Sequence, residues 1–394
     1  MSMPSISMTI AADFEPLAQK FFRTIGTGRG GGALAVYQHG RLVLDVWAGS
    51  VDGDRPWQHD TMAMTYSTGK GVAVTVIHRL VDQGLLSYDR PIADYWPEFA
   101  AAGKESITVR ELLNHRAGLH RIRGLVPDAI DAALDEWPDV AAALAACPPD
   151  ERRFRAQGYH AASFGRLVAE LVERVTGAPF GEVVHTEIAE PLGERDFWFR
   201  VPEVERHRIA PLSPGIHIAG ISFGVVASTL RAFGISGLAE AFPPAVYAEQ
   251  NNPNIHDLVE PAWNGVFSAR ALAKMYGAIA NGGMIDHQQF LSSDSVLTIA
   301  QMPRNSSRDY VLGLSMHHWL GYHRVLLPTG GSRNGFGHSG TGGSGAFAFP
   351  EIGLSIAFIT NRLGCKMTSA IDLRLARLCA QAQRVGRRTR AYAQ

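Results

Sequence analysis

The stretch TYSTGKG, residues 65–71, places a serine and a lysine three positions apart in a chain with five lysines. The apolar run that follows predicts a helix from Ser67 to Gln83. Because residues i and i+3 share one face of a helix, Ser67 and Lys70 would meet at its first turn. The lysine can then accept the serine proton, and the free N–H groups of the helix start can hold a developing oxyanion. The pair therefore suits nucleophilic acyl transfer.

The same pair has a simpler interpretation, in which Ser67 only caps the helix and Lys70 is a solvated first-turn residue. Spacing alone does not decide, because about 0.3 S-x-x-K matches are expected by chance in a chain with this few lysines. A phosphate-binding loop is excluded. Met64 stands where G-x-x-x-x-G-K-[ST] requires its first glycine, and Gly71 where it requires the hydroxyl.

Two other motifs compete with this pair. GISFG, residues 220–224, matches the nucleophile turn of α/β-hydrolases, but the chain lacks the repeated β-α units of that fold. Its acid and histidine partners would come from loose candidates: Asp257 with His256, His287 or His338. We therefore expect Ser222 to be structural. GTGRGG, residues 26–31, leads into a strand and does not open a helix, so it indicates a connector and not a dinucleotide site.

Composition limits the classes of function. The chain has 394 residues, 46% of them hydrophobic, and 37 residues of each charge sign. Such a balance favours neither nucleic acid nor a membrane surface as a partner. The absence of a signal-peptide pattern or membrane-length apolar run predicts a cytoplasmic protein. Three scattered cysteines and 15 scattered histidines give no disulfide or zinc pattern, so we expect no metal and no cofactor.

Both ends of the chain predict hairpins beside a helix. Residues 32–49 form two strand patterns around His39-Gly40, and residues 345–362 repeat them around Pro350-Glu351. Mainly helical segments lie between. We expect an α+β fold, with an antiparallel sheet built from both chain ends, flanking helices and a helical insert. The predicted division is an α/β domain of residues 1–90 and 300–394 and a helical domain of residues 91–299, with the active site between them.

Four blocks in order resemble the serine β-lactamase and penicillin-binding superfamily, in the class C-like branch that includes the family VIII carboxylesterases. The blocks are residues 31–49, 106–119, 158–177 and 334–362. The resemblance implies that Ser67 is the acylated nucleophile and Lys70 its proton partner. It also implies that Tyr159, in GYHA, is the second-motif base, since a nearby ammonium stabilises a phenolate.

The resemblance also implies the other members of the site. The third motif falls on His338, Ser339 and Gly340, which would contact substrate, and the oxyanion hole on the N–H groups of Ser67 and Thr341. His338 either lines the pocket or fills a tight turn. In PAWNGVFSAR, residues 261–270, Trp263 and Asn264 either border the acyl pocket or form a turn before Ser268.

Two departures from the family pattern define the expected substrate. Tyr159-His160-Ala161 replaces Y-x-N, and His338-Ser339-Gly340 replaces K-T-G. Without that amide and cation we expect weak β-lactam turnover, improved at lower pH if His338 becomes protonated. The predicted substrate is a short or medium acyl ester, or another activated acyl group, cleaved by hydrolysis or acyl transfer. A non-catalytic binding or self-assembling protein remains an alternative, as does a β-lactamase or D-aminoacyl peptidase; homo-oligomers are left open.

Overall fold

The computed structural model describes residues 7–26, 30–123, 125, 140–154, 156–213, 240–241, 249–303, 308–325, 334–364 and 372–392. The strands are β1 Thr9–Ile10, β2 Gly31–Gln38, β3 Arg41–Gly49, β4 Ala63–Met64, β5 Phe197–Trp198, β6 Val266–Phe267, β7 Met284–Ile285, β8 Gln288–Gln289, β9 His323–Arg324, β10 Phe336–Ser339, β11 Gly345–Phe349 and β12 Leu354–Thr360. A seven-stranded antiparallel sheet has the order β1-β3-β2-β12-β11-β10-β9.

Helices flank this sheet and provide most of the regular structure in the described middle of the chain. They are α1 Glu15–Ile25, α2 Thr68–Asp82, α3 Val109–Leu113, α4 Ser163–Thr176, α5 Phe180–Val184, α6 Glu190–Leu192, α7 Glu203–Arg206, α8 Ala269–Ala280, α9 Ser293–Ala300 and α10 Leu373–Tyr392. Short 3-10 and π turns join several of them, and residues 140–146 are also helical. No helix in the described ranges is both long and apolar enough to cross a membrane.

The two chain ends meet in the centre of the sheet. β2 and β3 form a hairpin whose turn residues, His39 and Gly40, have φ values of 48° and 73°, as a tight two-residue hairpin requires. β12 pairs along the other edge of β2, from Leu354 opposite Gln38 to Thr360 opposite Gly32. The predicted α+β fold with a sheet built from both ends is therefore confirmed.

Alternate residues of β2 bury themselves on opposite faces of the sheet. Leu34 and Val36 join the core under α1 and α10, whereas Ala33, Ala35 and Tyr37 join the larger core that includes α8. This pattern holds the sheet between two layers of helices.

Helix α8 lies on the sheet although the predicted boundaries assign it to the helical domain. The Ser355 hydroxyl on β12 donates to Ala273 O on α8, at 2.6 Å. We therefore propose that the boundary at residue 299 be moved ahead of α8.

A second, three-stranded sheet with the order β4-β6-β5 connects the helical part to the nucleophile region. β4 ends at Met64, just before Ser67, and β6 begins at Val266, just after the segment 260–265. Thr65 strengthens this link, since both its N–H and its hydroxyl donate to Gly265 O. The sheet therefore places residues 65–70 beside residues 260–265.

Candidate active site

Ser67 lies at the junction between β4 and α2. The preceding residue, Tyr66, has a φ of 49°, in the left-handed region that non-glycine residues rarely occupy. Ser67 immediately precedes the helix, so its N–H belongs to the unpaired helix-start donors. Within the described residues this N–H donates to no protein acceptor, and the side chain is 7% exposed. The hydroxyl is thus held in a protected position beside a free backbone donor.

Lys70 is fully buried directly behind Ser67. Its Nζ lies 3.2 Å from Ser67 Oγ and donates to the carbonyl oxygens of Ala161 and Ala262 at 2.7 and 2.8 Å. Burial lowers the pKa of Lys70 well below its usual range, and the charge of Glu260 partly opposes this shift. A lysine with a lowered pKa is more often neutral and can accept a proton. The geometry therefore gives Ser67 a neighbouring base.

The ring of Tyr159 lies next to the same amine. Lys70 Nζ is 5.0 Å from the ring centroid, and the tyrosine side chain is nearly buried. Gly158, just before it, donates its N–H to His115 O, and Asp309 accepts from the Tyr159 N–H. These backbone contacts hold the second motif against Lys70.

Histidine rings surround Tyr159. His318 stacks on the phenol ring at 5.4 Å with an interplanar angle of 16°, and His115 and His338 lie 4.8 and 6.4 Å away. All three are buried, and burial lowers the pKa of each well below its ordinary value. At neutral pH they therefore form an uncharged enclosure for the tyrosine. The sequence analysis assigned no role to His115 or His318, because ring contacts between segments distant in sequence produce no recognisable spacing motif.

The third motif lies on β10 and the turn after it, against the start of α2. A Cβ on Gly340 would fall 1.9 Å from Thr65 O, so only glycine permits this approach. Thr68 Oγ1 donates to Ser344 O at 3.2 Å. The turn that contains Thr341 therefore adjoins the helix start that carries Ser67, as a two-donor oxyanion site requires.

A family model described as beta-lactamase matches residues 17–381. The chain belongs to the beta-lactamase family. The esterase/beta-lactamase LipL of Mycobacterium tuberculosis strain ATCC 25618 / H37Rv is 41% identical over 350 residues, covering 87% of this chain and 80% of that protein. This β-lactamase-fold hydrolase thus has an esterase among its relatives.

Two solved structures share the whole architecture. A family VIII carboxylesterase aligns with a TM-score of 0.84 and 32% identity, covering 96% of this chain and all of that chain. A penicillin-binding protein homologue from Caulobacter crescentus aligns with a TM-score of 0.78, 32% identity and the same coverage. The resemblance stated from the motifs is therefore confirmed.

The surroundings of His338 argue against the expectation that it becomes a substitute cation at lower pH. Burial holds its pKa well below 6.5, and the charges that His323 and Lys70 carry when protonated lower it further. His338 Nδ1 contacts Ser339 O, and Nε2 has no hydrogen-bond partner among the described residues. His338 thus stays neutral across the ordinary pH range and does not replace the missing K-T-G lysine.

Ser339 contacts a different histidine. Its N–H and hydroxyl lie 3.0 and 3.2 Å from His323 Nε2. His323 Nδ1 donates to Arg324 O at 2.8 Å, which fixes Nε2 as the acceptor. Ser339 is therefore a serine of the candidate site, besides Ser67, that has a potential base next to it.

Asn264 does not face substrate. Its Nδ2 donates to the carbonyl oxygens of Phe199, Ile255 and Leu258, and its Oδ1 accepts from Glu260 N. Because the whole amide is used by backbone groups, we remove Asn264 from the substrate contacts and assign it to the turn. Trp263 is fully buried in the large core, so it supports the site from behind.

Glu260 is a residue that the sequence analysis did not identify. Its carboxyl group is completely buried, and burial raises its pKa to about 8, with the charges of Arg166 and Lys70 opposing the rise. No local motif marks it, because its turn is far from Lys70 in sequence: Ala262, in the same turn, is 192 residues from Lys70.

The competing serine, Ser222 in residues 220–224, lies outside the described residues, and so do residues 27–29 of the GTGRGG connector. Within the described ranges, no group of three or more histidine, cysteine, aspartate or glutamate side chains could hold a metal ion.

Proposed function

We propose that this protein is a serine esterase that cleaves carboxylic esters of short or medium acyl chains through an acyl-enzyme on Ser67. The observation that carries the proposal is the 3.2 Å contact between Ser67 Oγ and the buried amine of Lys70. A serine hydroxyl is a weak nucleophile until an adjacent base takes its proton, and a buried lysine with a lowered pKa is such a base.

Acylation would begin when Ser67 Oγ attacks the ester carbonyl carbon and its proton passes to the Lys70 and Tyr159 unit. The carbonyl oxygen becomes an oxyanion, which the N–H groups of Ser67 and Thr341 would bind. When the tetrahedral intermediate collapses, the carbon–oxygen bond to the alcohol breaks and the same unit returns the proton to the leaving oxygen. The product is an ester of Ser67 and a free alcohol.

Deacylation would use the same groups in reverse. Water loses a proton to the Lys70 and Tyr159 unit while its oxygen attacks the acyl carbon, and the proton then returns to Ser67 Oγ. An alcohol in place of water would give acyl transfer by the same route.

The chemistry around the third motif favours an uncharged ester over a β-lactam. A β-lactam brings a ring carboxylate, and the neutral side chain of His338 provides no positive charge for it. An unpaired carboxylate in a partly dry pocket costs affinity. The relative named esterase/beta-lactamase keeps β-lactam hydrolysis as the second candidate.

A fluorophosphonate probe tests the nucleophile. We expect the wild type and Ser339→Ala to be labelled, and Ser67→Ala to stay unlabelled and lose about 10⁴-fold or more in kcat for nitrophenyl butyrate. Ser339→Ala is the matched control because Ser339 is a second serine with a potential base, His323, beside it. Labelling that survives in Ser67→Ala would transfer the role to another serine, and a folded wild type without labelling would support a non-catalytic binder.

A substrate comparison tests the specificity. We expect kcat/KM for nitrophenyl butyrate to exceed that for a chromogenic cephalosporin by at least about a hundredfold at pH 7.5, on the order of 3 kcal/mol. Nitrophenyl esters of increasing chain length then locate the preferred acyl group. Equal efficiencies for the ester and the cephalosporin would show that the missing cation matters little.

A further inference from the structure

The carboxyl group of Glu260 has no hydrogen-bond partner although it is completely buried. Neither carboxylate oxygen is bonded to any described residue, and no cation comes within ion-pair distance in the described ranges. A buried carboxyl group left in this way is costly, and native structures rarely retain one without a role.

The turn that carries Glu260 is fixed by backbone hydrogen bonds. Glu260 O accepts from the N–H groups of Trp263 and Asn264 at 2.9 and 3.0 Å, and Glu260 N donates to Asn264 Oδ1. The same turn presents Ala262 O to Lys70 Nζ. The backbone position of Glu260 relative to the amine is therefore set by the hydrogen bonds of this turn.

Helix α4 closes the turn from the other side. A Cβ on Gly165 would lie 2.2 Å from Ala262 N, so the helix approaches at a glycine. The charge of the next residue, Arg166, lowers the pKa of Glu260. Its NH2 group, however, lies 3.3 and 3.5 Å from the carboxylates of Glu170 and Glu173. Arg166 is therefore shared among carboxylates and does not neutralise Glu260 by direct contact.

With one proton between them, the buried pair of Lys70 and Glu260 has two possible charge states: a neutral amine with a neutral acid, or an ammonium with a carboxylate. Burial raises the pKa of Glu260 to about 8 and lowers that of Lys70 well below its usual range. Near neutral pH one proton is thus shared by a pair with no net charge. The histidines near Lys70, which are His115, His318 and His338, are neutral there. Loss of the shared proton leaves a carboxylate that interacts electrostatically with the neutral amine.

We propose that Glu260 is a positioning residue that acts through Lys70: as a carboxylate it strengthens the amine as the proton acceptor for Ser67, and as a neutral acid it leaves a weaker base. This inference rests on the proposed esterase function. When Ser67 gives its proton to Lys70, an O–H bond breaks, an N–H bond forms and the amine becomes positive. A nearby negative charge stabilises that cation through the surrounding protein.

The pH dependence of turnover tests this role. We expect kcat/KM of the wild type for nitrophenyl butyrate, corrected for hydroxide hydrolysis, to rise about tenfold with a midpoint near pH 8. The reason is that one additional charge inside the protein changes the proton affinity of a neighbouring group by about that factor. The rise should lie in kcat and not in KM. Glu260→Gln should lack it, whereas Glu170→Gln should keep it. Glu260→Gln with an unchanged rise, or with only a lower melting temperature, would overturn the inference.

A measurement on the wild type covers the case in which Glu260→Gln does not fold. Infrared difference spectra should show a buried neutral carboxyl group that ionises with a midpoint near pH 8; its absence would also overturn the inference. Labelling of Ser67 separates the two proposals. If Ser67 is labelled and only the pH results fail, Glu260 has no such role, whereas turnover that survives in Ser67→Ala rejects the esterase mechanism itself.

Discussion

Two lysines of this protein are held by the same kinds of contact, although Lys104 lies in a shallower site than Lys70. Lys70 and Lys104 are both fully shielded from solvent, and each amine donates to two backbone carbonyls. Each also lies over an aromatic ring, Tyr159 at 5.0 Å for Lys70 and Phe99 at 5.6 Å for Lys104. Burial lowers the pKa of both. Two carbonyls and a ring are therefore enough to hold a lysine in the interior.

Hydroxyl groups distinguish the two sites. Lys70 contacts Ser67 Oγ and the ring of a tyrosine, whereas the hydrogen bonds of Lys104 end at the carbonyls of Ala101 and Cys147 and its ring is a phenylalanine. Burial and carbonyl bonding account for the position of a lysine, and only a neighbouring group that can give up a proton makes it useful as a base. Lys104 is thus a structural reference for Lys70 within one molecule.

The largest expected difference follows from replacing each lysine by methionine. Each variant should lose about 2–4 kcal/mol in free energy of unfolding, because two buried carbonyls lose their donor. Lys70→Met should also lower kcat/KM by at least about 10³-fold, as expected for loss of a proton acceptor, whereas Lys104→Met should stay within about threefold. Nitrophenyl butyrate kinetics and urea unfolding measure both quantities. Equal losses of activity in the two variants would remove the basis of the comparison.

Tyr159→Phe makes the surroundings of Lys70 more similar to those of Lys104. We expect kcat to fall about 10²-fold or more because a proton-transfer group is removed, with little change in the melting temperature. Tyr310→Phe is the control, since this tyrosine contacts His120 and not Lys70. Turnover near the wild-type value in Tyr159→Phe would end the role of the tyrosine, although Ser67 could remain the nucleophile.

The histidines near Tyr159 should make this region sensitive to acid. His160 is fully buried and neutral in the fold, with a pKa lowered to about 3 from 6.5. The unfolded chain binds the proton first, so this stabilisation is complete above pH 6.5 and is lost as the pH falls from there toward 3. Between pH 7 and 5.5 the wild type should lose about 1.2 kcal/mol more free energy of unfolding than His160→Gln. If the free energy of unfolding fell by the same amount in both proteins between pH 7 and 5.5, the assignment would be contradicted.

The smallest expected effect concerns His338. Because its pKa lies well below 6.5, it has no titration to contribute between pH 6 and 8. The kcat/KM profiles of the wild type and His338→Gln in that interval should therefore have the same shape within about twofold, whatever their absolute values. A step near pH 6.5 present only in the wild type would show that the ring is more exposed to solvent than the fold indicates.

Local patterns in the sequence predicted the parts of this molecule that depend on neighbouring residues. The i,i+3 spacing predicts the contact between Ser67 and Lys70, which the structure contains. The hairpin at His39-Gly40 also follows from its two turn residues.

Long-range burial accounts for what the sequence did not predict. The neutral state of His338 depends on rings contributed by His318 and His323, which precede it on another segment, and on Lys70 far upstream. The sequence left Asn264 open between a pocket position and a turn, and its four backbone partners, from residue 199 and from residues 255–260, favour the turn. Glu260 had no local signal, since a lone glutamate is normally a solvated residue.

The pairing of β2 with β12 has a consequence for the order in which the protein can assemble on the ribosome. Thr360 Oγ1 donates to Gly31 O across 329 residues of sequence. At about 5–20 residues per second, the N-terminal hairpin waits on the order of 15–65 s for the strand that covers its edge. During that time the unpaired edge of β2, rich in Ala, Leu and Val, can pair with other nascent chains. Yield of native protein should consequently depend on translation speed and on chaperones that shield this hairpin.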